Sequence, residues 1–328
     1  MKRALVLGGG GARGAFQFGA LKYIKEVLMQ REEGYDMDII AGVSVGALNA
    51  SMWAMGEFEG LQDLWEDEAL EGRIFEGGME VFSLMKHIVY SGKSLRSNMP
   101  LFSLLKQYMN ILSPNLIGKD LTIGLVSLRD GNYYQLGPKD FDESEEFAKA
   151  VLASASIPII AEPVPMIRTI RKDIGEGGVL YDLVDGGIRN NSPLGDVIHQ
   201  GADEIIIINC ASPKIPMEET LDAAKNIFSI AKRSLINIAI NEIFITDVRE
   251  YLAINDILAQ VEKYAPGLEI YHTRPNGERV PYKRFKTILI EPEDSLGDVL
   301  DFTPNKVRLN ILKGYKAAEE AFALAGIA

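Results

Sequence analysis

Apolar residues in this chain fall into short unbroken runs separated by longer stretches at helical spacing. Arg3 to Leu7 is apolar without alternation, the pattern of a strand covered on both faces of a parallel sheet. Ala15 to Gln30 then carries Phe16, Ala20, Leu21, Ile24, Val27 and Leu28 at helical intervals. Asp38 to Val43 repeats the strand pattern, and a helix follows to about Met55. Two consecutive strand–helix units predict an α/β fold with three layers, helix, sheet and helix.

From Glu57 to about Asn115 the pattern is helical but irregular, with a loop around Gly72 to Gly78 and a helix start at Asn98 with Pro100. Apolar clusters lie at Val81 to Tyr90 and at Leu101 to Met109. Phe75, Met79, Phe82, Leu84, Met85, Ile88, Met99, Phe102 and Met109 suit either ordinary core packing or a lid and acyl-chain wall. Leu121 to Leu128 and Tyr133 to Leu136 read as strands of a hairpin turning at Asp130-Gly131-Asn132. A helix over Phe147 to Ala155, a strand over Val179 to Val184, a short helix over Pro193 to Gln200 and a buried strand over Glu204 to Asn209 follow. Glu218 to about Glu262 predicts two or three helices, with Leu221, Ile227, Ile230, Leu235 and Ile238 on one side. A late strand at Ile288 to Ile290 and a helix from Thr303-Pro304 to about Leu324 complete the pattern. With no linker or repeat, residues 1–328 are expected to form one domain. Its catalytic core would span about 3–210, a mostly helical region about 217–285, and the late strand and terminal helix about 286–328.

Composition narrows the function. A net charge of -12 argues against nucleic acid, or an anionic membrane surface, held by bulk charge, and leaves only local, transient apolar contact with lipid. Cys210 is the single cysteine, so no internal disulfide and no thiol metal cluster can form, and a reducing compartment is the simplest setting. The apolar run after Met1-Lys2-Arg3 is too short for a secretion signal, and no run approaches bilayer length. A cytoplasmic protein is expected. Nothing in the sequence bears on oligomeric state.

Three places can carry chemistry. In Gly42-Val43-Ser44-Val45-Gly46 a serine stands between strand and helix with a glycine on each side. Such a turn exposes a hydroxyl at a helix N-terminus, where backbone N–H groups favour developing negative charge. The plainer reading is a tight turn with Ser44 capping the helix. The loop Gly8-Gly9-Gly10-Gly11-Ala12-Arg13-Gly14 fits the dinucleotide fingerprint through Gly9, Gly11 and Gly14, but the second strand ends in Gly42-Val43-Ser44 instead of the required acidic residue. Its unobstructed N–H groups suit an oxyanion, since both loops leave one edge of a parallel sheet. Arg13 would brace that loop or bind an anionic head group. A phosphate-binding nucleotide site stays open as an alternative.

A serine nucleophile needs a base, and only His87, His199 and His272 are available. None is well placed: His87 falls in the lid region, His199 in a short helix, and Ser44, Asp185, His272 would copy an α/β-hydrolase order with too few strands ahead of the serine. Asp185 follows a strand, and Gly186-Gly187 clears space around it, so a partly desolvated carboxylate can take the proton directly. An aspartate in an Asp-Gly turn is the bland counterpart.

Four stretches, in order, resemble the patatin-like phospholipases. Gly9-Gly10-Gly11-Ala12-Arg13-Gly14 is similar to their oxyanion loop, Gly42-Val43-Ser44-Val45-Gly46 to their nucleophile elbow, Ala153-Ser154-Ala155-Ser156-Ile157-Pro158 to their alanine/serine-to-proline block, and Asp185-Gly186-Gly187 with Asn190-Asn191-Ser192-Pro193 to their aspartate loop. The resemblance covers residues 3 to about 210, and Phe16-Gln17-Phe18 stands where the family more often has smaller residues. It implies a Ser44–Asp185 dyad, oxyanion donors among Gly10, Gly11, Ala12 and Arg13, and an acyl hydrolase of phospholipid or neutral lipid esters with no metal or other cofactor. A catalytically silent, lipid-binding relative would share the same motifs.

Overall fold

The computed structural model describes residues 1–31, 35–76, 94, 96–211, 230–273 and 277–327. The expected apolar cluster over Val81 to Tyr90, with His87, lies outside them, as do Met79, Leu221 and Ile227. The main sheet joins β1 (Arg3–Leu7), β2 (Ile39–Val43), β3 (Asp120–Ser127), β4 (Tyr133–Leu136), β5 (Val164–Arg168), β6 (Val179–Asp185), β7 (Glu204–Ile208) and β10 (Lys286–Ile290). Its order is β10-β7-β1-β2-β3-β6-β5, with β4 also on β3. The five strands from β10 to β3 are mutually parallel, whereas β4 and β6 run antiparallel to β3, and β5 antiparallel to β6.

The central strands are apolar runs because both faces are covered. Every residue of β2 and β7 is buried. On one face Leu5, Leu7, Ile40, Ile206 and Ile208 pack beneath α1 (Gly14–Tyr23), α2 (Val45–Ala54) and the late helix α9 (Pro304–Leu324); on the other, Ala4, Val6, Ile39, Ala41, Ile205 and Ile207 meet α7 (Leu194–His199) and α8 (Asn241–Tyr264). Helices α3 (Phe58–Trp65), α4 (Leu70–Ile74), α5 (Met99–Tyr108) and α6 (Ser144–Ser154) extend the first layer. This is the three-layer fold that the alternation of runs predicts.

The departures are local. The loop expected around Gly72 is partly helical, since α4 turns Leu70 inward and Gly72 sits where a side chain would meet nothing; packing here overrides glycine's poor helix propensity. Strand β5 is hidden in the sequence by Pro163 and Pro165, which an edge strand tolerates. Within the region expected to be mostly helical over about 217–285, the described residues form a π-helical stretch, Lys232–Ile240, running into α8, which ends at Tyr264 close to the expected Glu262, and then a small hairpin of β8 (Tyr271–Thr273) and β9 (Arg279–Pro281).

The C-terminal segments belong to the same sheet and core as the first strands. β10 pairs with β7 over its whole length. α9 lies on α1 at backbone contact: a Cβ on Gly19 would stand 2.0 Å from Ile311 O, and one on Gly314 1.9 Å from Phe16 O.

Candidate active site

Parallel register brings the first two turns together. Leu7 pairs with Gly42 and with Ile208, so the loop after β1, the turn after β2 and Cys210 after β7 all leave the same sheet edge. The turn after β2 is tight. A Cβ on Gly42 would lie 2.3 Å from Gly46 O, and one on Gly46 2.2 Å from Leu7 O, so only glycine fits on either side of the serine. Ser44 is thereby held at φ 59, ψ -132, a strained conformation for a residue with a side chain.

The strain is secured from behind. Ser154, at the end of α6, accepts the Ser44 N–H at 3.0 Å and donates its hydroxyl to Gly124 O at 2.6 Å. The Ser44 side chain makes no capping bond to α2, which removes the plain helix-cap reading. Its hydroxyl instead stands close enough to the Asp185 carboxylate to act on it, and both residues line one pocket.

Asp185 arrives by a route the sequence does not announce. A carboxylate at the shared C-terminal edge of parallel strands is the natural expectation, yet β6 is antiparallel. It docks on β3 where β2 has ended: Val43 pairs with Gly124, and the next residue of β3, Leu125, pairs with Asp185. Only 3% of Asp185 and 4% of Ser44 is exposed. Burial pushes the Asp185 carboxyl up to about 7, against the lowering effect of the nearby Ser44 hydroxyl and of the Gly187 N–H, which is 2.7 Å from Oδ1. The Asp-Gly turn reading thus describes Oδ1 correctly and leaves the contact with Ser44 in addition.

The glycine loop lies over Ser44, and a Cβ on Gly9 would be 3.0 Å from Ser44 Cβ. Several of its N–H groups are already used: Gly9 donates to Asn191 O (3.3 Å), Ala12 to Val299 O (2.8 Å) and Arg13 to Gly10 O (3.2 Å). Among the described residues, no acceptor takes the N–H of Gly10 or Gly11. Arg13 is buried, and its Nε donates to Gly297 O at 2.8 Å, so it braces the loop and is not a surface arginine. Burial lowers its pKa, while Cys210 and Asp298 act to raise it. The Cys210 thiol, pushed up to about 12 by burial, stays protonated and donates to Gly9 O.

Two pockets meet at Ser44. One is apolar, walled by Leu48, Trp65, Leu70, Phe75, Leu101, Ile157, Leu300 and Phe302. The other mixes polar groups, from Arg13, Asp185, Asn191, Asn241 and the Gly10–Gly11 backbone, with apolar walls of Ile157, Ala211, Ile240 and Val299. Of the apolar residues singled out between 75 and 109, Phe75 lines the first pocket, Met109 is buried in the core, and Met99 is exposed. No histidine among the described residues lines either pocket; His199 and His272 share a separate groove with Tyr251 and Tyr282. Nor do three His, Cys, Asp or Glu side chains among the described residues form a metal cage.

Some supporting residues escape a reading by motif. Gln17 and Asn49 are fully buried: Gln17 Nε2 donates to Gly8 O (2.7 Å), Asn49 Nδ2 donates to Gln17 Oε1 (3.0 Å), and Trp65 Nε1 donates to Asn49 Oδ1 (2.9 Å). This chain ties the glycine loop to α2. The available signal was a lone amide in each of two otherwise apolar helices, which implies a buried partner. The strap 296–302 between β10 and α9 carried no motif at all.

Comparisons with known proteins relate the chain to one family. The family model for patatin-like phospholipases matches residues 5–198. The neuropathy target esterases sws of Drosophila melanogaster and Drosophila persimilis are each 51% identical over 49 residues, which is 15% of this chain and 3% of those proteins. The chain therefore spans only a small part of these relatives. The solved structure of VipD from Legionella pneumophila aligns with 98% of this chain and 67% of its own, at 15% identity and a TM-score of 0.46.

Proposed function

We propose, from the premise that this chain belongs to the patatin-like phospholipase family, that it is a serine lipid acyl hydrolase of phospholipase A or lysophospholipase type. The observation that carries the reading is the strained, buried Ser44 lining one pocket with the buried Asp185 carboxylate, beside two unclaimed N–H groups. Ser44 Oγ attacks the ester carbonyl as Asp185 takes its proton. The oxyanion forms against the N–H groups of Gly10 and Gly11, each such donor contributing about 3 kcal/mol. This narrows the donor set implied by resemblance, because Ala12 spends its N–H on Val299 O of the strap and Arg13 on Gly10 O of the loop. The alcohol leaves with the proton from Asp185, and water, activated by the same carboxylate, resolves the acyl-enzyme. The apolar pocket suits the acyl chain. The insect relatives are named as esterases, which fits the same chemistry.

A fluorophosphonate probe should label the wild type and spare Ser44→Ala, and Asp185→Asn should lose turnover of lipid esters while keeping its fold. Equal labelling of wild type and Ser44→Ala would overturn the nucleophile assignment. Full turnover by a folded Asp185→Asn would overturn the base.

A further inference from the structure

The Gly10 and Gly11 N–H groups serve an oxyanion only if their peptides keep one orientation, and glycine peptides turn most easily. In a trans peptide the carbonyl and the N–H point in opposite directions, so whatever holds the carbonyl aims the N–H. Gly11 is provided for from within the loop: Gly10 O, the carbonyl of its peptide, accepts the Arg13 N–H at 3.2 Å. For Gly10 the holding group is a side chain from the far end of the core. Gly9 O, the carbonyl of its peptide, accepts the Cys210 thiol at 3.1 Å. The approach is close, since a Cβ on Gly10 would stand 2.3 Å from Cys210 Sγ. Cys210 is fully buried and lines neither pocket at Ser44, whereas Gly9, Gly10 and Gly11 line the one that contains Asp185. The Gly9 carbonyl therefore faces the buried side of the loop, and the Gly10 N–H faces the cavity.

The sulfur is itself held by a chain of bonds with one direction. An indole N–H can only donate, so Trp65 turns the Asn49 amide with its oxygen toward α3 and its nitrogen toward Gln17 Oε1. Gln17 Nε2 then has one hydrogen for Gly8 O at 2.7 Å and another shared between Ile208 O at 3.5 Å and Cys210 Sγ at 3.7 Å. The sulfur accepts on that side and keeps its own hydrogen for Gly9 O. We propose that Cys210 is a positioning residue for the oxyanion site, its thiol fixing the Gly9–Gly10 peptide so that the Gly10 N–H stays aimed into the cavity beside Ser44. Its part in turnover rests on the hydrolase reading; the orientation of the peptide does not.

Two variants differ in the donor alone: Cys210→Ala removes it, and Cys210→Ser replaces it with a hydroxyl. With p-nitrophenyl octanoate, Cys210→Ala should lower kcat about tenfold, short of the roughly 100-fold or greater cost of losing an oxyanion donor outright. KM should stay within about twofold, because the peptide acts on the transition state more than on the bound ester. Cys210→Ser should recover kcat to within about threefold of wild type. The apparent pKa near 7 should not move in either variant, since neither touches Asp185. Crystal structures should show the Gly9–Gly10 peptide rotated, or divided between two orientations, in Cys210→Ala and unchanged in Cys210→Ser. An unaltered peptide or a wild-type kcat in Cys210→Ala, or a Cys210→Ser as slow as Cys210→Ala, overturns the assignment. A peptide that turns in Cys210→Ala, in a protein whose wild type hydrolyses no ester, would instead overturn the hydrolase reading and leave the thiol's hold on the loop standing.

Discussion

At the scale of single residues, the site sets stability against function through one carboxyl. Asp185 has a folded pKa of about 7, against an ordinary value near 3.8. Between these values the folded state holds a proton that the unfolded chain has released, so stability falls as pH rises. The contribution is complete below about 4 and has been lost above about 7. Proton abstraction from Ser44 needs the opposite state, so kcat/KM should rise with pH through an apparent pKa near 7. Asp185→Asn keeps an acceptor for Ser44 and Gly187 but carries no charge. Chemical denaturation should therefore find it close to wild type at pH 4 and more stable at pH 8, by about 4 kcal/mol if the whole shift is expressed. Equal stability at both values would show that the carboxylate is better solvated than its burial suggests. Glycine, serine and aspartate were legible because each motif requires a particular backbone or atom. Ser154 was legible only as part of a block, since its task of holding a strained N–H depends on register between α6 and β3.

Among elements, the parallel strands could be read directly, since a strand buried on both faces must be apolar throughout. The hairpin at Gly131 carried its own turn signal. What periodicity cannot convey is direction: nothing in Val179 to Asp185 says that β6 runs against β3, yet that reversal brings Asp185 beside the Ser44 turn. The close packing of α1 on α9 was equally silent, because Gly19 and Gly314 are separated by most of the chain. Adding a methyl group at Gly314 would force the helices apart. Gly314→Ala should lower stability by more than about 2 kcal/mol in urea. Since α1 begins at the glycine loop, it should also slow fluorophosphonate labelling of Ser44. A variant with unchanged stability and labelling would mean that the two helices can shift at little cost.

Across the whole molecule, the family match ends at residue 198 while the structure continues to build the site. β10 extends the sheet beside β7, α9 covers α1, and the strap between them lines the apolar pocket with Leu300 and Phe302. No helix among the described residues is long and apolar enough to cross a membrane.

The Val299 carbonyl that takes the Ala12 N–H, and the Gly297 carbonyl that takes Arg13, also impose a schedule. A ribosome has made Ser44 and Asp185 long before it makes either carbonyl, and contacts so distant in sequence form last. Nascent chains stalled with residue 290 just beyond the exit tunnel should carry both residues and yet resist the fluorophosphonate probe. Chains stalled with residue 327 exposed should react. Early reaction would show that the loop needs no brace; late reaction would mean that an enzyme able to attack lipids stays inert until the strap at 297–299 has been made.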